Sequence, residues 1–205
     1  ASGSDTELTD SSAKRFVSIG ITVVAGDNIV TAAEESADFT VTGTGSEASA
    51  TITVVYGGVS ETCTSTAAGA FTCTFNDDGG GGAGNMGGVA DGTITVTASV
   101  TVDASTTTAT SFITQDTVVP TVSITASQGS DGFTSNDATL SLTFTLSETA
   151  TNFVIGDIDG GGGDLSSFSG SGQSYTATFT PTGGDGAKTI NIDASAFTDA
   201  NTNGN

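Results

Sequence analysis

The chain has 205 residues, with 23 acidic side chains against 3 basic ones, a formal net charge of −20, 29 glycines, two cysteines, no tryptophan and no histidine. Three cations cannot neutralise a run of phosphates, which excludes nucleic acid and anionic membrane surfaces as partners, and no apolar run reaches the ~18 residues that a spanning helix needs. Without histidine, the commonest general base and the commonest metal ligand are both missing.

Charged residues are only 13% of the total, so the imbalance comes from missing lysine rather than added carboxylates. The surface is read as Thr, Ser, Gly and Asn, which favours a secreted protein over a salt-adapted cytosolic one. Such a surface repels its own kind and suits divalent cations.

Residues 1–19 read as an N-terminal extension, polar over its first fifteen positions. Period-two alternation with β-branched residues then predicts strands near 16–24, 37–42, 49–56, 59–65, 70–75, 92–102 and 107–114. Thr31-Ala32-Ala33-Glu34-Glu35 reads as a single helical turn. Seven strands is the number a simple immunoglobulin-like sandwich uses. Pro120 cannot donate to a ladder, so the Gln115–Pro120 stretch divides the chain. A second set follows near 121–126, 138–147, 152–158, 164–168, 174–180 and 187–193, one strand fewer than the first. The Gly-rich stretches 79–88 and 160–163 read as loops. The expected fold is all-β: two tandem immunoglobulin-like β-sandwiches, 20–115 and 116–205, the second lacking its last strand.

Particular segments carry a resemblance. They are Ile21-Thr22-Val23-Val24-Ala25-Gly26-Asp27-Asn28 with Ala90–Ala98, Asp116–Val122, and in the second half Phe153–Ile158, Leu165–Gly172 and Tyr175–Pro181. Over roughly residues 20–205 the chain resembles the bacterial immunoglobulin-like repeats of large cell-surface adhesins. The resemblance implies a fold and an extracellular setting and says little about a ligand. It departs at both ends: the first twenty residues have no counterpart, and no strand follows the Asp199–Asn205 turn.

Cys63 and Cys73 flank a short loop, Thr66–Ala70, which would set them opposite each other on neighbouring hairpin strands. A disulfide there implies an oxidising compartment, and Ala1 is then the residue left after signal-peptide removal. That register places Glu61 opposite Phe75. Two free buried thiols or a redox pair are the competing readings, but the spacing is not C-x-x-C and no Lys lies nearby in sequence.

Asp199-x-Asn201-x-Asn203-Gly204 matches the opening of an EF-hand loop, without the downstream Glu; an Asn/Gly turn is the plainer reading. Asp116, at the domain junction, joins Asp199, Asn201 and Asn203 as a candidate metal set, and Asp157/Asp159/Asp164 and Asp77/Asp78 are further acidic clusters. Hard oxygen ligands would select Ca²⁺ as the cofactor. Catalysis has no motif to stand on: there is no G-x-S-x-G, P-loop or dinucleotide fingerprint, and Tyr56 and Tyr175 are few platforms for a sugar. No enzyme is expected.

The expected role is an extracellular structural subunit of a cell-surface fibre with an adhesive role, its partners copies of itself joined head to tail. A covalent two-repeat piece of an adhesin stalk and a ligand-binding tip module are the alternatives. A sandwich without its last strand leaves an open edge. Phe16, Val17, Ile19, Ile21 and Val23 lie on an apolar stretch that would supply a strand to a neighbour.

Overall fold

The computed structural model describes residues 17–76 and 88–205. Phe16, Asp77, Asp78 and most of the first Gly-rich stretch lie outside the described residues.

In the first half the strands are β1 (Ile19–Val24), β2 (Ile29–Thr31), β3 (Phe39–Gly45), β4 (Thr51–Tyr56), β5 (Val59–Thr64), β6 (Ala70–Phe75), β7 (Gly92–Val102) and β8 (Ser105–Asp116). They form a three-stranded sheet, β1-β3-β6, facing a five-stranded sheet, β2-β8-β7-β4-β5. Alternation puts every second side chain inside. Val41, Phe39, Phe71 and Phe75 from one sheet meet Ile52, Val54, Tyr56, Val96, Ala98 and Val100 from the other. The helical turn α1 (Ala32–Glu35) has Thr31 as N-cap in a full capping box with Glu34. Strand β2 was not expected. It carries the chain from the small sheet to the large one, pairing parallel with β8 through Ile29↔Thr114 and Thr31↔Asp116.

The apolar N-terminal strand differs from strict alternation in its register. β1 pairs antiparallel with β3 of its own domain, from Ile19↔Gly45 to Val24↔Val41. The ladder shifts between Ile21 and Val23, so the alternation breaks. Val17, Ile19 and Ile21 are partly buried against the core, while Val24, not Val23, is the fully buried residue beyond the bulge.

Cys63 and Cys73 are bonded, with Cα atoms 5.1 Å apart, but not across a hairpin. β5 is the last strand of the large sheet and β6 of the small one. Cys63 stands opposite Ile52 and Cys73 opposite Val41, so the bridge ties the two sheets together at their edges. The awkward Glu61–Phe75 pairing disappears: Glu61 pairs with Val54, and Phe75 pairs with Phe39 inside the core.

The second half holds β9 (Val122–Ala126), β10 (Leu140–Leu146), β11 (Ile158–Gly161), β12 (Gly163–Ser171), β13 (Ser174–Pro181) and β14 (Thr189–Ile192). The order β12-β13-β10-β9 makes one sheet and β11-β14 the other. The strand expected over 152–158 is instead a buried Phe153, then a 3-10 turn at Ile155–Asp157, closed by a 2.7 Å bond from the Val154 N–H to the Asp157 carboxylate. Gly160–Gly163, expected as a loop, is mostly strand: at Gly162, whose φ of +89° suits a residue without a Cβ, the chain passes from β11 to β12 and so from one sheet to the other. Phe153 is the hub of this core, its ring centroid 5.9 Å or less from those of Phe144, Phe168, Tyr175 and Phe197. After β14 the chain folds back through a Thr198↔Gly204 bridge and buries Phe197.

Because the disulfide joins sheets rather than hairpin strands, reduction should weaken the first sandwich alone. Closing a loop of this length is worth roughly 3 kcal/mol, a fall on the order of 10 °C in Tm for a domain of this size. Calorimetry with and without reductant should move one transition and leave the other in place; two transitions moving equally would contradict it.

Candidate functional site

The strand directions decide which residues gather between the two sandwiches. β8 ends at Asp116, and β9 begins six residues later. β10 runs antiparallel to β9, so its end returns to the junction and delivers Glu148. The segment after β14 travels the same way and delivers Asp199, Asn201 and Asn203.

Asp199 is the anchor of that segment. It is 2% exposed, and its carboxylate accepts the backbone N–H groups of Asn201 and Asn203 at 2.8 and 2.9 Å and the Asn203 side-chain amide at 2.9 Å. Charge-assisted bonds of this kind are what a buried carboxylate needs. The loop so fixed holds two amides out towards the linker. Asn201 Nδ2 donates to Asp116 Oδ2 at 2.6 Å, and Asn203 Nδ2 donates to the Asp116 carbonyl at 2.9 Å. Asn203 Oδ1 accepts from the Ala32 N–H at 2.9 Å, at the start of α1 in the first sandwich. One buried side chain therefore bonds its own loop, the linker and the other domain. Asp91 pins the next linker residue, accepting from Thr117 N and Oγ1 at 2.9 and 3.0 Å.

Beside this clasp, the carboxylates of Asp116, Glu148 and Asp199 offer oxygens within 4.8 Å of one another. Among the described residues this is the one such group of three. Burial, then the negative charges of Asp116, Asp199 and Asp91, raise the Glu148 pKa above its ordinary value. Hard carboxylate oxygens this close together are the donors Ca²⁺ takes; the set fits that ion. Of the four residues singled out from sequence, Asp116 and Asp199 belong to it. Asn201 and Asn203 stand beside it, each turning a side-chain N–H towards one of the acids. The EF-hand spacing is thus used as a turn.

Glu148 was missed. Its signal was topological: the antiparallel neighbour of a domain's first strand must end where that strand begins. The other acidic cluster is not assembled, because Asp157 closes the 3-10 turn while Asp159 lies in β11 and Asp164 in β12.

Above the junction, Tyr56 is fully buried and its hydroxyl donates to Gln115 Oε1 at 2.8 Å, while Gln115 Nε2 reaches the Val89 carbonyl at 2.9 Å. Burial and then Glu35, Asp91 and Glu34 push the phenol well up, so it stays neutral. This end of the first sandwich is polar but satisfied.

Two outcomes follow. Asn203→Ala leaves the Ala32 N–H and the Asp116 carbonyl without their partner, a cost of about 1–3 kcal/mol, visible as a lower Tm. For Glu148 the raised pKa means that its favourable, protonated contribution is complete below the ordinary glutamate value of about 4.3 and is lost as pH rises through the folded one. Glu148→Gln should therefore raise stability at neutral pH in calcium-free buffer and make no difference in acid. A lower Tm for this variant at neutral pH would contradict the repulsion.

Residues 116–205 match the family model of a bacterial Ig-like domain. No curated protein matches the chain. Among solved structures, one of a 1.5-MDa bacterial ice-binding adhesin, concerned with retention at the host cell surface, is 17% identical with a TM-score of 0.42, over 82% of this chain and 64% of that one. A Ca²⁺-stabilized adhesin that helps an Antarctic bacterium reach out and bind ice is 17% identical with a TM-score of 0.41, over 85% and 46%. An immunoglobulin-like domain of the M. primoryensis ice-binding adhesin is 19% identical with a TM-score of 0.33, over 48% and 95%. The chain thus spans less than two thirds of the first two, and the likeness is distant.

Proposed function

We propose that this chain, whose residues 116–205 belong to the bacterial Ig-like domain family, is a rigid rod unit of an extracellular bacterial surface fibre with an adhesive role. The observation that carries the reading is Asn203, bonded at once to Asp199, to the Asp116 carbonyl and to Ala32 of the other domain. Two sandwiches on a free linker reorient independently; a buried amide spanning the junction resists that. The role is mechanical, not enzymatic. The inter-sheet disulfide and the scarcity of lysine support an exported setting.

Calcium is the cofactor of this reading. Asp116, Glu148 and Asp199 would hold it, and the ion would supply the positive charge that the three carboxylates lack, stiffening the unit outside the cell. Asn201 and Asn203 keep two of these acids in place. A site filled to a hundred times its Kd adds about 2.7 kcal/mol.

Calcium should raise Tm and hold the scattering-derived maximum dimension constant, and chelator should lower the first and broaden the second. Glu148→Gln should abolish the calcium increment. A chain whose Tm and dimensions ignore both calcium and chelator would mean the acids are merely solvated.

A further inference from the structure

The second sandwich is open along one side. A groove of about 1090 Å³ runs there, floored by Ile124, Ala126, Leu142, Phe179 and Ile190. β9 is the last strand of the four-stranded sheet and β14 the last of the two-stranded one, and both contribute to it. Terminal strands present backbone N–H and C=O groups to whatever lies beside them. An apolar floor between two such strands is the setting for an added strand.

The groove opens at a definite end of the molecule. β9 leads away from the junction, where Thr121 is held to Ser147 at 2.8 Å, and the groove is rimmed beyond it by the 129–137 and 184–188 loops. This is the pole of the second sandwich farthest from Asp116. The first sandwich is oriented the other way. The Asn28 turn after β1 adjoins Thr114 on the approach to Asp116, its carbonyl accepting at 3.1 Å. Ile19 at the start of β1 therefore lies at the opposite pole, where Ser18 and Ser46 exchange bonds of 3.0 and 2.9 Å. The described residues begin, at Val17, at one pole, and the groove opens at the other.

Charge complements at one end of the segment 1–16. The rim carries Asp131, Asp137 and Asp185 against Lys188, whose ammonium is engaged by the Thr182 carbonyl at 2.7 Å. Lys14 and Arg15 are two of the three basic residues in a chain of net charge −20. Asp5, Glu7 and Asp10 precede that pair, so within the segment only Lys14 and Arg15 complement the rim acids. Leu8 is the sole large aliphatic residue among the first fifteen.

We infer that the groove of the second sandwich is the docking site for residues 1–16 of a second copy, which adds as a strand and places Lys14 and Arg15 against the rim acids. The strand β1 stays in its own domain, so the link costs neither sandwich a strand. Donor and acceptor surfaces differ, so the contact propagates into an open chain. The inference rests on the rod reading and specifies how rods join.

The test uses the full chain, with light scattering and electron microscopy reading assembly and thermal unfolding as control. The intact chain should form linear oligomers. Deleting residues 1–16 should leave monomers. Leu8→Asp and the pair Lys14→Glu, Arg15→Glu should each weaken association at least ~10-fold, about 1.4 kcal/mol, at unchanged Tm. A synthetic peptide of residues 1–18 should bind the deleted chain and cap the intact one; a scrambled peptide should do neither. A chain that stays monomeric, oligomers that survive the deletion, or equal binding of the scrambled peptide would each overturn the inference. A monomer that keeps its calcium-dependent stiffness would overturn it and leave the rod reading standing, whereas linear oligomers of units with a loose junction would do the reverse.

Discussion

Asp199 is a carboxylate with 2% exposure in a chain that already carries a large excess of negative charge. Burying it is tolerable only because two backbone amides and the Asn203 side chain converge on its oxygens. That convergence fixes the Asp199–Asn203 loop, and the fixed loop is what presents Asn201 and Asn203 to the linker. The interdomain bonds to Asp116 and Ala32 are consequences of how one acid is satisfied.

The same economy runs through the rest of the molecule. With few cations available, the structure uses N–H donors where other proteins would use lysine or arginine: Asp91 takes Thr117, Asp157 takes Val154, and Glu34 takes Thr31. Among the described residues every buried side-chain polar atom has a partner. In the Asp116–Glu148–Asp199 group the Glu148 pKa is raised, first by burial and then by the charges of Asp116, Asp199 and Asp91. A cation is the natural complement of that position.

Much of the fold was legible because period-two alternation is a strong signal where one face is buried. Leu142, Phe144 and Leu146, or Val96, Ala98 and Val100, read the same in sequence and in structure. The misreadings were of three-dimensional origin. Two cysteines ten residues apart look like a hairpin pair unless it is known that β5 and β6 leave for different sheets. A single bulge after Ile21 exchanged Val23 for Val24 in the core, and alternation carries no mark of it. Phe153 and Ile155 resembled a strand, but the glycine and aspartate that follow close a tight turn. At the junction, Asp116, Asp199 and the two asparagines were visible as oxygen- and nitrogen-bearing turn residues. Their convergence, and Glu148 with them, depended on which strand ends return to the linker.

The central claim is that the two sandwiches move as one body because of the Asn203 clasp. Pulsed electron-spin distance measurement tests it most directly, with one label on an exposed strand of each sandwich. The account predicts a single narrow distance distribution for the intact chain with calcium, and a broad one for Asn203→Ala. A broad distribution in the intact chain, or a narrow one that survives loss of Asn203, would contradict it.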